Sequence, residues 1–282
     1  MSLIMRQLTL LLLIVFSLAS CASIKTKSNL DTSQAKPSKQ NIISQLQGVW
    51  VLTDYINEIK QTKSPLKSAN KLKGIVTMII NGSNKNNKIE VTASWNNHEG
   101  LNFITYLKEG HSQNTLKTDI PDYEEESNYY EIGYETINKQ TFLFLYHFNK
   151  ENKLLDKKQF SKVAETQKDN DVTAGLQQLV NKEIFAGNYT LIDSTNSKLK
   201  VVFNSDGSLV NFPGFKSYFV LTDFLGGPDN NLDQVCFNLS EPDFKCFAFE
   251  IKGNAINLYN THSDEEKGIL ILDKLQYKLE KE

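Results

Sequence analysis

Past its sixth residue this chain has no arginine: Arg6 is the one arginine among 31 cationic Lys and Arg side chains. Arginine is the side chain suited to bidentate capture of phosphate and to stacking on bases, so its absence argues against nucleic-acid or nucleotide recognition. The formal net charge of -2 argues the same way, because no basic field draws in a polyanion. Histidine is scarce too. His98, His111, His147 and His262 stand in no nucleophile or metal-ligand context and read as surface residues. Gly-x-Ser-x-Gly, His-Glu-x-x-His, a phosphate loop and Cys-x-x-Cys are all missing. No catalytic residue, metal ligand or cofactor is therefore assigned, and a non-enzyme is expected.

A membrane-spanning apolar run is also lacking. The most apolar stretch, Leu8 to Leu18, is too short for a bilayer, which needs roughly 20 residues. It follows the cationic Arg6 and precedes the small residues Ala19 and Ser20, the layout of a secretory signal peptide. The residues Leu18-Ala19-Ser20-Cys21 that close it resemble the lipobox of bacterial lipoproteins. The resemblance implies cleavage before Cys21, a diacylglyceryl thioether on its sulfur and acylation of its new amine. Several acyl chains hold a protein stably where one does so only marginally, so the lipid bilayer is the expected partner at Cys21. In that family an Asp after the cysteine retains the protein at the inner membrane; Ala22 stands here, which implies the outer membrane, on a face the sequence leaves open.

Only two cysteines remain once Cys21 is set aside. Cys236 and Cys246 sit on two strand-like segments around Ser240-Glu241-Pro242-Asp243, so they read as hairpin partners. In an exported chain a leftover pair invites a disulfide; two buried free thiols at neighbouring positions is the alternative.

What is present is β structure. Apolar residues make up 40% and charged residues 23%, the balance of a chain with a packed core. Residues 22 to 40 are rich in Ser, Thr, Lys and Gln without apolar period, a flexible tether reaching roughly 25 Å. From Ile42 onward short runs rich in Val, Ile, Thr, Tyr and Phe alternate with Asn, Gly and Ser clusters. The first such strand is expected over Gly48 to Tyr55, and the last over Ile269 to Leu279. Between two sets of strands, Leu176, Leu179, Val180 and Ile184 recur at helical spacing.

The two sets share a pattern. Leu155-Asp156-Lys157-Lys158-Gln159-Phe160 returns as Leu272-Asp273-Lys274-Leu275-Gln276-Tyr277, with Leu145-Tyr146 upstream matched to Leu258-Tyr259. On that alignment His147 meets Asn260. Gly48-Val49-Trp50 returns as Gly187-Asn188-Tyr189, each behind a turn of helix. Matched starts and ends in order indicate a tandem duplication. A short helix, Gly-x-Trp and an antiparallel meander resemble the lipocalin and lipocalin-like family. The resemblance rests on Gly48 and Trp50, and on Gly187 and Tyr189 in the second half, where Tyr replaces Trp. It implies barrels with the aromatic at the closed end and apolar ligands entering the other.

The expected architecture is mainly β: a signal peptide over 1–20, a lipidated tether over 21–41, a β domain over 42–165, a helical linker over 166–184 and a second β domain over 185–282. Each domain is a small antiparallel barrel or sandwich. The alternating Phe142, Phe144, Tyr146 and Phe148 read as ordinary core or interdomain contact rather than ligand lining. Asp122 to Glu126 reads as a solvated acidic loop, and Asp229-Asn230-Asn231-Leu232-Asp233 lacks the spacing and closing Glu of a calcium loop. The expected function is binding, of an envelope protein partner or a small apolar ligand. A structural or assembly component, or a hydrolase acting on lipid or cell-wall material, is the alternative.

Overall fold

The computed structural model describes residues 39–112, 114–166, 171–224 and 230–282. The leader, Cys21 and the tether up to residue 38 lie outside the described residues, as does Asp229 of the second acidic stretch.

The first half is a closed barrel of eight antiparallel strands in sequence order. They are β1 (Gly48–Leu52), β2 (Ile75–Lys85), β3 (Lys88–Trp95), β4 (Glu99–Glu109), β5 (Thr115–Thr118), β6 (Tyr129–Ile137), β7 (Gln140–Phe148) and β8 (Leu154–Ala164). The second half comprises β9 (Gly187–Asp193), β10 (Lys198–Phe203), β11 (Leu209–Val210), β12 (Tyr218–Val220), β13 (Gln234–Phe237), β14 (Lys245–Lys252), β15 (Ala255–Asp264) and β16 (Ile269–Lys281). It is one open sheet in the order β11-β10-β9-β16-β15-β14-β13-β12. Its closing strand β16 pairs with β9 as β8 pairs with β1. The edges β11 and β12 meet through a single bridge, Ser208 to Ser217.

Asparagine makes most of the turns. Among the described residues, thirteen non-glycine residues have positive φ and ten of them are Asn, including Asn86 and Asn87 between β2 and β3. The amide side chain tolerates the left-handed region that tight hairpin turns require, which is why Asn clusters marked the strand ends.

Among the described residues four α-helices accompany the strands, α1 (Lys39–Leu46), α2 (Thr53–Thr62), α3 (Pro65–Ser68) and α4 (Ala174–Ile184), with a 3-10 turn over Ala69–Lys71. α1 begins inside the stretch read as tether. β1 stops at Leu52 rather than Tyr55, because Tyr55, Ile56 and Ile59 form the buried face of α2. Ser64 caps α3, accepting from the Lys67 amide, with Pro65 in the first turn where its missing N–H costs nothing. α4 buries Leu176, Val180 and Ile184 and joins the two β units. One continuous apolar core runs from the first barrel through α2 and α4 into the second sheet.

The two halves start alike in detail. Gly48 and Gly187 have φ of +142° and +152°, a region that L side chains rarely adopt. Two residues on, Trp50 and Tyr189 are 0% and 1% exposed. Each lies opposite a lysine of the closing strand, Lys162 and Lys281. The Trp50 indole Nε1 donates to the Leu46 carbonyl at 2.8 Å, fixing α1 to the barrel.

They end alike as well. β1 is shorter than β8, and its ladder covers only Phe160 to Ala164. β9 covers β16 only from Tyr277 to Lys281. The repeated Leu-Asp-Lys-x-Gln segment is thus the overhang of each closing strand, and its terminal aromatic is the first residue paired to the opening strand. Charged Asp and Lys on an overhang discourage pairing with another chain. The upstream match shifts by two residues: Leu258 lies opposite Tyr277, but Phe160 lies opposite Leu143, not Leu145.

The alternating aromatics of β7 are buried, Phe142 partly, in a core cluster of their own. Leu143 and Leu145 face the main core, whereas Phe144, Tyr146 and Phe148 form a separate cluster with Tyr129 and Phe142. Lys157 covers this second face, its ammonium 4.1 Å from the Phe144 ring centre. In the second half aromatics do fill the interior: Phe203 contacts Phe185 at 5.4 Å, Tyr189 at 5.6 Å and Tyr218 at 4.9 Å between ring centres.

Gly48→Ala and Gly187→Ala should each destabilise the fold by about 1–3 kcal/mol, since alanine must adopt a strained φ. Urea unfolding measures this; a loss below a few tenths at both sites would refute it.

Candidate functional site

The chemistry-bearing residues of the first half gather where β1 finishes. At that end β2, β6 and β8 begin and β3 and β7 stop, so Ile75, Tyr130, Lys158, Trp95 and His147 surround one small cavity of about 50 Å³. Strand register sets the pairs: Leu145 lies opposite Lys158, and His147 opposite Asp156. Tyr123, 74% exposed, sets its ring edge-on to Trp95 with centres 5.9 Å apart.

His147 is not a plain surface histidine. Its ring stacks on Tyr130 at 4.3 Å, and its Nε2 lies 2.7 Å from Asp122 Oδ2. Its side chain is 21% exposed and that of Asp122 only 6%. Asp122 is correspondingly not a solvated loop residue. Its carboxylate accepts from the Glu124 and Glu125 amides at 2.9 and 3.1 Å and from Asn128 Nδ2 at 2.9 Å. Burial alone raises its pKa; the bonds from Asn128, Glu124, Glu125 and His147 overturn that and hold it at about 2. The β5–β6 loop is thereby pinned over the end of the barrel.

Two further groups are displaced from ordinary behaviour. Burial lowers the Lys158 ammonium against the opposing pull of Asp156 and Asp54, and its Nζ donates to the Lys73 carbonyl. Burial, with Asp122, Asp156 and Glu124, pushes the Tyr130 phenol up to about 12. The cavity has room for one or two waters, well below the roughly 300 Å³ at which small-molecule pockets begin. The arrangement is a polar plug: it orders a loop and closes the barrel end.

The remaining histidines are dispersed. His98 Nδ1 lies 2.7 Å from Asp223, and this hydrogen bond raises its pKa. His262 Nδ1 lies 3.1 Å from Asp273, and His111 meets the edge of Phe148 with ring centres 5.8 Å apart. Two side chains of the second acidic stretch, Asn231 and Asp233, are already engaged. Asn231 bonds both the amide and the carbonyl of Leu270, at 2.8 and 2.9 Å. Asp233 accepts from Ser64 Oγ and from the Leu66 amide at 2.9 Å, tying the α2–α3 corner to the second sheet. Burial raises this carboxyl. Sequence reasoning missed the junction because Ser64 and Asp233 are far apart in the chain; the Ser64-Pro65 cap was the one local signal.

Cys236 and Cys246 lie directly opposite one another on β13 and β14, with Cα atoms 4.0 Å apart, and are joined by a disulfide. The turn they close is held by Asn238. Its Oδ1 accepts from the Lys216 amide at 2.8 Å, and its Nδ2 donates to Gly214 O at 3.0 Å and Asp243 Oδ2 at 2.7 Å.

No protein-family model and no curated protein matches the chain. One solved structure is similar, a protein of unknown function from the DUF3598 family of Nostoc punctiforme. It shares 11% identity with a TM-score of 0.23, over 86% of this chain and 80% of that one.

Asp122→Asn should cost about 1–2 kcal/mol at pH 7. The native carboxyl titrates below its unfolded value, so the stabilisation is present above about pH 4 and fades as pH falls towards 2. Parent and variant stabilities should therefore converge in acid; a gap independent of pH would show that the charge is irrelevant. Replacing Cys236 and Cys246 together by Ala should cost about 2–3 kcal/mol, the closure entropy of so short a loop, read as a lower urea midpoint that reductant no longer shifts.

Proposed function

We propose that this protein is an envelope lipoprotein, held to the membrane through acyl chains on Cys21 and acting as a non-catalytic binding module. The observation that carries the reading is the lipobox-like Leu18-Ala19-Ser20-Cys21 directly behind a short apolar run. The disulfide agrees with export, since such bonds persist in oxidising compartments. Among the described residues no helix is long and apolar enough to cross a membrane. Ala22 supports the outer membrane as the destination.

Each β unit is read as lipocalin-like. The support is a helix, then a glycine at positive φ, then a buried aromatic two residues on, then an eight-strand meander, twice over. The departure from that family lies inside. Aromatic side chains fill the second interior, and the first barrel ends in a polar plug around a cavity of about 50 Å³. Packing of this kind favours recognition by the outer surfaces of the β units over storage of an apolar ligand within them. The partner is accordingly a component of the envelope.

Cys21→Ser should abolish incorporation of labelled palmitate and move the protein out of the membrane fraction, or leave it as an unprocessed precursor. A variant that still takes up label and sediments with membranes would overturn the anchor.

A further inference from the structure

We propose a binding site for acidic sugars on the outer wall of the first barrel, in the cleft between β4 and β5; it rests on the binding-module reading and names a ligand class for it. The two strands pair at Thr105–Thr118 and again at Glu109–Leu116. Between those pairs, Tyr106, Leu107 and Lys108 face Lys117 alone. Three residues against one part the strands, as an enlarged bulge does, and open a cleft of about 500 Å³. That volume suits a small molecule, whereas the plug at the barrel end does not.

The lining specifies the chemistry. Lys108 and Lys117 are exposed, and among the described residues neither ammonium has a carboxylate partner. No acidic side chain lines the cleft. A third ammonium, that of Lys88, stands 5.6 Å from the centre of the Tyr106 ring. The lining thus carries two ammonium groups, with Lys88 just outside it and the carboxylates of Asp119 and Glu109 at its margins. Tyr106 is half-buried, and its hydroxyl donates to Asp119 at 3.4 Å. Asp119 itself accepts from the Ile104 amide at 2.6 Å. Asn86 and Asn87 form the tight β2–β3 turn, with φ of 56° and 60°, and line the rim, where the Asn87 carbonyl accepts from the Leu107 amide at 2.8 Å.

An aromatic ring offers a surface to the C–H face of a pyranose. Side-chain amides both donate to and accept from hydroxyl groups. Lysines supply compact point charges for a carboxylate or phosphate, without the planar fork that nucleotide and base recognition favours. Together these suit a mono- or short oligosaccharide that carries one or two anionic groups.

The test uses the full-length protein in detergent with four probes: a glucuronate disaccharide, glucose 1-phosphate, a neutral glucose disaccharide and inorganic phosphate. Saturation-transfer NMR should show protein-to-ring transfer for the two acidic sugars and none for the neutral one. Calorimetric affinity should fall at least tenfold in the Lys108→Glu, Lys117→Glu double variant and weaken with salt, with the melting temperature little changed because both side chains are exposed. Tyr106→Ala should reduce the transfer to ring protons. Equal transfer from the neutral sugar, none from any sugar, or affinity undiminished in the double variant would overturn the site. Inorganic phosphate competing as well as glucose 1-phosphate would remove the sugar from it. Membrane attachment is read separately in Cys21→Ser, so an anchored protein that binds none of these probes sinks the cleft and leaves the anchor standing.

Discussion

Closure of the first barrel by a five-residue strand against an eleven-residue one is the constraint on which the rest depends. β1 must pair on both sides, with β2 and β8, to remove the sheet edges. Its start is fixed by a glycine in a conformation closed to other residues and by an indole that reaches back to the preceding helix. Its early end releases the chain into α2, whose Tyr55, Ile56 and Ile59 complete the core. The shortness of β1 also leaves β8 overhanging, and the overhang is where the charged repeat sits. The second half pairs β9 with β16 in the same way while its sheet stays open between β11 and β12, so the similar sequences at both starts and both ends go with one pairing of first and last strands used twice.

Buried polar groups then decide how each end is finished. Asp122 is surrounded by donors and stays ionised, pinning a loop over the first barrel. Asp233 has fewer donors and more burial, so its carboxyl is displaced upward. The contrast follows from donor count. Four hydrogen bonds offset the desolvation of one carboxylate, while a hydroxyl and one amide leave the other short. One orders a loop and the other joins two β units.

Much of this was legible in order along the chain. Strand-forming runs, Asn-rich turns and the apolar period of Leu176 to Ile184 are local signals, and the strands and α4 follow them. α2 was hidden because Val49 to Leu52 continues without punctuation into Tyr55 and Ile56, and β-forming residues dominate the start of a helix that tertiary burial stabilises. β5 was missed because Thr115 to Thr118 is short and carries a lysine. β7 shows the limit of alternation: both of its faces are buried, Leu143 and Leu145 in the main core and Phe144, Tyr146 and Phe148 in a second cluster, and a period of two does not say which face joins which. The His147–Asp122 pair and the Ser64–Asp233 contact were invisible, because each joins residues on separate elements.

The uninterrupted core has a mechanical consequence. α2 and α4 belong to it along with strands of both halves, so the halves are not beads on a string. A load applied to one is borne by side chains of the other, and neither can loosen without exposing apolar surface of both. A pull applied to the described part of the chain therefore meets one shared core. Recognition at the far half would be transmitted as displacement of the whole rather than absorbed by a hinge.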